Sequence, residues 1–158
     1  MDEAVTLRPI GPDDQPFLYD VYASTRVGEL ASVPWDDLQK AAFLQMQFTA
    51  QHQYYQEQYP HAAFDVVLVA GKPAGRLYVN RGQDELRIID IAILPAWRNR
   101  RIGTHLIGAL QTEAALARKP LRIHVERFNP ALRLYERLGF VPVADRGVYL
   151  FLEWRTTD

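Results

Sequence analysis

Ile88–Leu116 reads IIDIAILPAWRNRRIGTHLIGALQTEAAL, and the change of pattern inside it decides the fold. Ile88, Ile89, Ile91 and Ile93 are β-branched and packed too densely for a one-sided helix face, so the stretch opens as a strand. Pro95 has no N–H to give to a ladder and ends it. A basic turn follows, Arg98-Asn99-Arg100-Arg101-Ile102-Gly103. Ile102, Leu106, Ile107, Leu110 and Ala114 then recur at the spacing of one helix face. The basic turn therefore stands at a helix N-terminus, where unpaired backbone N–H groups and the positive end of the dipole suit a phosphate. The ligand expected from this arrangement is a phosphorylated, nucleotide-like cofactor. Arginines at a helix start are equally compatible with a solvated surface. The turn is no P-loop, since no Gly-Lys-Ser/Thr closes it, and it lacks the three glycines of a dinucleotide fingerprint.

Outward from this stretch, the upstream chain alternates turn residues with short apolar runs. Val5–Ile10 is a first strand, closed by Gly11-Pro12. Asp13-Asp14 opens a helical pattern through Phe17, Leu18, Val21 and Tyr22, expected to reach about Leu30. Pro34 with Asp36-Asp37 starts a second helix running towards Tyr55. That helix is rich in aromatics and amides (Phe43, Gln45, Gln47, Phe48, Gln51, Tyr54, Tyr55), which fits core packing or a polar-aromatic wall. Strands follow at Ala63–Ala70, Ala74–Asn80 and Glu85–Leu94, with turns at Gly71-Lys72-Pro73 and Arg81-Gly82-Gln83-Asp84. Downstream, the helix is expected over Arg100–Arg118. Leu121–Glu126 alternates as a strand with Leu121, Ile123 and Val125 on one face. Asn129-Pro130 is a helix start, and Gly139 closes that short helix. Phe140–Ala144 and Val148–Trp154 form a terminal hairpin around Asp145-Arg146-Gly147.

Bulk properties narrow the class. The chain has 158 residues, 48% hydrophobic and 23% charged, which fits one domain spanning 1–158 with a continuous core. No apolar run approaches the roughly 18 residues of a membrane span, and no signal peptide is visible, so a cytoplasmic protein without membrane association is expected. With no cysteine, disulfides, thiolate metal sites and a cysteine acyl-enzyme are excluded. His52, His61, His105 and His124 are scattered, so no metal site is expected. A net charge of −1 argues against nucleic-acid binding. Residues 1–80 hold 5 basic and 10 acidic side chains, a balance of −5; residues 81–158 hold 13 and 9, a balance of +4. A polyanionic cofactor on the basic half and a cationic acceptor near the acidic half would fit that asymmetry.

Two segments resemble signatures of the GNAT (GCN5-related) N-acetyltransferase superfamily. Arg98, Gly103 and the preceding Ile-Leu-Pro resemble its Arg/Gln-x-x-Gly-x-Gly/Ala motif, although Arg101 stands where the family usually has its first glycine. Asn129-Pro-Ala-Leu-Arg-Leu-Tyr135-Glu-Arg-Leu-Gly-Phe140 resembles the family's Asn…Leu-Tyr-Glu-x-Leu-Gly-Phe segment. The order βααβββαβαββ is similar to the family fold along nearly the whole chain: an α/β (α+β) architecture, with a central mixed, mostly antiparallel sheet flanked by helices.

The resemblance implies acetyl-coenzyme A held in a splay between the central strand and Leu121–Glu126. Ile91, Ala92 and Ile93 would lend backbone groups to the pantetheine arm and polarise the thioester carbonyl, by the logic of an oxyanion hole. The N–H groups of Arg98, Asn99, Arg100, Arg101, Ile102, Gly103 and Thr104 would meet the pyrophosphate. Asn129 would bond the pantetheine, with an N-cap role as the alternative. Tyr135 matches the tyrosine that protonates the departing thiolate; as an amphipathic-helix residue it could equally be core.

Three groups compete to be the base. His124 falls where several family members place a glutamate, and a histidine titrates near neutrality; it could also bind only backbone or water. Asp90 is a carboxylate in an otherwise isoleucine strand, hard to explain as packing. Glu126 is a third. The expected function is direct acetyl transfer to a primary amine of a small polar metabolite. The alternatives are acetylation of a protein N-terminus or lysine, and a non-catalytic acyl-CoA-binding module. Family resemblance also raises a homodimer through the terminal hairpin.

Overall fold

In the computed structural model, which describes residues 4–156, seven strands form one open sheet: β1 (Val5–Pro9), β2 (Ala63–Val69), β3 (Lys72–Arg81), β4 (Leu86–Ile93), β5 (Leu121–Glu126), β6 (Val141–Arg146) and β7 (Tyr149–Trp154). Their spatial order is β1-β2-β3-β4-β5-β7-β6. β1 pairs with β2, β5 with β7 and β6 with β7 antiparallel, while β4 and β5 run parallel. A parallel pair needs a crossover. It is supplied by α4 (Ile102–Ala117), the helix whose apolar spacing follows the basic turn. Four further helices are α1 (Gln15–Ser24), α2 (Val27–Leu30), α3 (Asp37–Gln58) and α5 (Leu132–Arg137). The result is the mixed α/β architecture expected from the sequence.

Contacts gather into two compact units, and β3 and β4 contribute to both. The first contains residues 4–76 and 92–97. Its core is Leu18 and Tyr22 of α1 against Leu44 and Phe48 of α3, each burial contributing about 1.5–3 kcal/mol. The single helix expected to about Leu30 is broken after Ser24. Ser24 Oγ donates to the Val21 carbonyl and Thr25 Oγ1 to the Tyr22 carbonyl, both at 2.7 Å. Such hydroxyls compete with the helical ladder, and the Thr25 and Arg26 N–H groups fall back to i−3 acceptors. α3 starts cleanly at a capping box. Gln39 N–H donates to Asp36 Oδ1 (2.7 Å), and the Asp36 N–H donates to Gln39 Oε1 (3.0 Å).

The β2–β3 turn is Ala70-Gly71, not Gly71-Lys72-Pro73. Both residues have positive φ, 49° and 80°, as a two-residue hairpin turn requires. Lys72 and Pro73 already belong to β3, at a strand start where a proline is tolerated. Further along β3, Gly75 lies under the Ala92 carbonyl so closely that any Cβ there would overlap it.

The second unit contains residues 77–91 and 98–156. α4 buries Ile102, Leu106, Ile107, Leu110 and Ala114. It is shorter at both ends than Arg100–Arg118, because Arg101 and Arg118 flank it in left-handed conformations. Leu121, Ile123 and Val125 of β5 are buried as the alternation predicts. α5 begins at Leu132, later than Asn129-Pro130. Asn129 Oδ1 accepts from the Ala131 N–H at 2.9 Å and its carbonyl from the Leu132 N–H at 3.0 Å. Asn129 thus caps a turn leading into the helix.

Candidate active site

The paired register of β4 with β5 covers Leu86↔Leu121, Arg87↔Arg122 and Ile88↔Ile123 and stops there. β5 continues beside β7, with His124↔Phe151, Val125↔Leu150 and Glu126↔Tyr149. From Ile89 onward β4 therefore leaves β5, and the splay expected for an acyl-CoA arm begins one residue past Ile88. Ile91 belongs to the second unit; Ala92 and Ile93 belong to the first, where their backbone lies against Gly75.

The basic turn has an unusual backbone. Asn99 and Arg101 both have positive φ, 64° and 60°, a region that costs a non-glycine residue roughly 1–2 kcal/mol. Arg101, at the position where the resembling motif has glycine, thus takes the conformation for which glycine is suited. It has no side-chain cap bond. The first α4 bond runs from the His105 N–H to the Arg101 carbonyl at 3.0 Å, so the N–H groups of Ile102, Gly103 and Thr104 precede the helical ladder. Arg98, Asn99, Arg100 and Arg101 are exposed around them. A Cβ on Gly103 would meet only Leu134 Cδ2, at 3.6 Å, an ordinary contact. These features fit a pyrophosphate: unused donors, exposed cations and no side chain in the way.

Strand alternation places Asp90 on the β4 face that carries the buried Leu86 and Ile88. Tyr135 of α5 is 4% exposed, its ring edge-on to Phe140 at 5.5 Å. Burial first, and the Asp90 charge second, push its phenol well above the ordinary tyrosine value. The structure thus brings Asp90 and Tyr135 into electrostatic contact, with the phenol held protonated.

His124 is not with them. It shares the opposite face with Arg122 by the alternation of β5. Its Nδ1 lies 3.3 Å from Arg87 Nη1 and its Nε2 3.3 Å from Arg146 Nη1. Its ring stacks on Phe151 with centroids 4.5 Å apart. Burial first, then the two guanidinium charges, lower its pKa. Glu126 lies on the same face of β5 as His124. The arginine partners were not legible in the sequence, because Arg87 and Arg146 reach His124 only through the β4–β5–β7–β6 register.

The amide-rich α3 resolves into several roles within the first unit. Gln47 Oε1 accepts from the Tyr22 hydroxyl (3.2 Å), and Gln51 Oε1 accepts from Arg76 Nη2 (2.9 Å). Gln45 and Phe48, with Gln15, Pro16, Tyr19 and Asp20, line a shallow cleft of about 330 Å³. Among the described residues no three His, Asp or Glu side chains are grouped as around a metal ion, and no helix is long and apolar enough to cross a membrane.

Comparison with known proteins supplies the family. The chain's fold is similar to the PaiA N-acetyltransferase of Thermoplasma acidophilum in complex with coenzyme A, at 13% identity over 97% of this chain and 99% of that one, TM-score 0.71. It is similar to an acetyltransferase from Thermus thermophilus, at 19% identity over 97% of both chains, TM-score 0.69. It also resembles a GNAT family acetyltransferase from Elizabethkingia anophelis with acetyl-CoA bound, at 16% identity over 96% and 98%, TM-score 0.58. No curated protein matches the sequence. The acetyltransferase (GNAT) domain model matches residues 61–142, more than half of the chain and inclusive of β4, the basic turn, α4, β5 and α5, and by that match the chain belongs to the GNAT family of acetyl-CoA-dependent acetyltransferases.

Proposed function

We propose that the chain, working as one acetyltransferase domain, moves the acetyl group of acetyl-CoA directly to a primary amine of a small polar metabolite. The observation that carries this reading is the buried Tyr135 phenol, held protonated by its burial and by the Asp90 charge. Acetyl-CoA supplies an activated thioester; the remaining work falls to the protein. The N–H groups of Ile102, Gly103 and Thr104 and the side chains of Arg98, Arg100 and Arg101 hold the pyrophosphate, at the positive end of α4. Within the second unit the backbone of Ile91 orients the pantetheine arm. Asn129 adds its amide nitrogen, since its oxygen is already engaged with Ala131.

Amine acetylation needs an ammonium to lose a proton and a thiolate to gain one. Tyr135 stays protonated through the physiological range and gives its phenolic proton to the sulfur. Asp90 attracts the ammonium and relays its proton through water. His124, facing two guanidinium groups on the other side of β5, is not given the proton here. The acidic balance of residues 1–80 supports a cationic acceptor. Incubation of the protein and acetyl-CoA with a panel of primary amines tests the reading: coenzyme A release should depend on the amine and yield the N-acetyl product. A panel spanning diamines, amino acids, amino sugars and peptides that produces no such release would refute it.

A further inference from the structure

The face of β4, β5, β7 and β6 opposite Tyr135 is rich in paired charges and carries a net positive balance. Arg87, Arg122, Arg146 and Arg155 stand there against Glu85 and Glu153. Arg87 holds Glu85 through Nε (2.7 Å), Arg122 holds Glu85 (3.0 Å) and Glu153 (2.8 Å), and Arg155 holds Glu153 (2.9 Å). Four guanidinium groups against two carboxylates leave an excess of two positive charges. Counting Glu126, two residues beyond His124 on the same face, still leaves one. The excess sits at Arg146, which is exposed. Its partners are the His124 ring nitrogen and the Phe151 ring, whose centroid lies 4.8 Å from its guanidinium carbon. The Arg87 guanidinium carbon lies at the same 4.8 Å from that centroid. With Arg122 at 5.9 Å, Phe151 is thus a floor for three cations, with His124 beside it.

The imidazole cannot satisfy both arginines. A neutral histidine has one acceptor nitrogen, yet guanidinium N–H groups face both Nδ1 and Nε2, each at 3.3 Å. One donor therefore points at a ring N–H, and both contacts are long for charge-assisted bonds. An oxyanion seated at these groups would accept from the guanidinium left without an acceptor and offset the surplus charge. His124 is also the first β5 residue past the last β4–β5 pair, so this cluster lies at the closed end of the splay, where the two strands begin to part.

We propose that Arg146, Arg87 and His124 form a site for an oxyanion, a carboxylate or a phosphate, carried by the amine acceptor itself. This rests on the amine-acetylation reading and narrows it: the acceptor bears a negative group as well as the reacting amine. The pairs lysine with 1,5-diaminopentane and O-phosphoethanolamine with ethanolamine separate carboxylate from phosphate. In at least one pair the anionic member should have the higher kcat/KM. Arg146→Gln, at an exposed position, should lower that value roughly tenfold, as for loss of one charge-assisted contact, and should not lower it for the cationic partner that lacks the oxyanion.

A second measurement needs no turnover. The NMR signal of the His124 ring should shift saturably on titration with inorganic phosphate or with acetate, and Arg146→Gln should abolish that shift. No His124 shift with either anion, or a shift that persists in Arg146→Gln, overturns the site. A shift without any preference for anionic amines overturns its assignment to the acceptor. A complete lack of amine-dependent coenzyme A release would instead remove the amine reading while leaving the anion measurement to stand by itself.

Discussion

Replacing Arg101 by glycine separates two effects that this residue combines. Its backbone sits at φ 60°, ψ 21°, where an L side chain costs roughly 1–2 kcal/mol. Glycine removes that cost but loses more chain entropy on folding, about 0.4–1 kcal/mol. The difference leaves Arg101→Gly more stable by about 0.5–1 kcal/mol, because the side chain makes no cap bond that would be lost. For a chain of this size that is a Tm rise of roughly 1–4 °C. Differential scanning calorimetry without cofactor reads it directly. Arg101→Asn is the companion variant, since asparagine tolerates this region better than most residues; its Tm should also not fall. The same Arg101→Gly protein should bind acetyl-CoA more weakly at low salt, by roughly fivefold, because an exposed guanidinium is worth about 1 kcal/mol to a phosphate. Raising the salt should shrink that gap. A lower Tm for Arg101→Gly would refute the strain argument, and unchanged or tighter acetyl-CoA binding at low salt would refute the phosphate contact.

Tyr135→Phe keeps the ring against Phe140 and removes the proton, so kcat should fall by about 10²–10⁴ while the KM for acetyl-CoA hardly moves. Because burial and Asp90 raise the phenol's pKa, the parent should show no alkaline loss of kcat from this group below about pH 10, the ordinary tyrosine value; a tyrosinate titrating below that would contradict the assignment. Asp90→Asn should raise the KM for the amine more than that for acetyl-CoA, and equal effects on both would mark Asp90 as structural. Remote from this chemistry, Asp14 is held down to about 2, by the Arg8 side chain first and by the Gly11 N–H second. A depressed carboxylate contributes stability above its unfolded value, about 3.9, that is lost as pH falls through about 2. Asp14→Asn should therefore lower the Tm slightly at pH 6 and by less at pH 2, and a gap that widened on acidification would refute the sign.

Much of the architecture was legible locally. Ile88–Ile93 and Leu121–Glu126 announce strands, and the 3.6-residue spacing after Ile102 announces α4, because periodicity records which face is buried. The family signatures fall on the basic turn before α4 and on the Asn129–Phe140 segment that contains α5. The missed boundaries have local causes that pattern reading passes over. The hydroxyls of Ser24 and Thr25 break a helix that its apolar residues would continue, and the hairpin turn falls at Ala70 although alanine rarely takes positive φ.

Sequence by itself determined the fold class and the family, since strand, turn and helix are written in neighbouring residues. Only the tertiary structure decided which titratable groups share a face. Along the chain Tyr135 carries the family's acid motif, while Asp90, His124 and Glu126 all compete to be the base. The end of the β4–β5 ladder at Ile88↔Ile123 and the alternation of side chains beyond it put Asp90 with Tyr135, and His124 with Arg87 and Arg146. The physical reason is register. A strand sends successive side chains to opposite sides of the sheet, so which charges meet depends on how strands distant in sequence align.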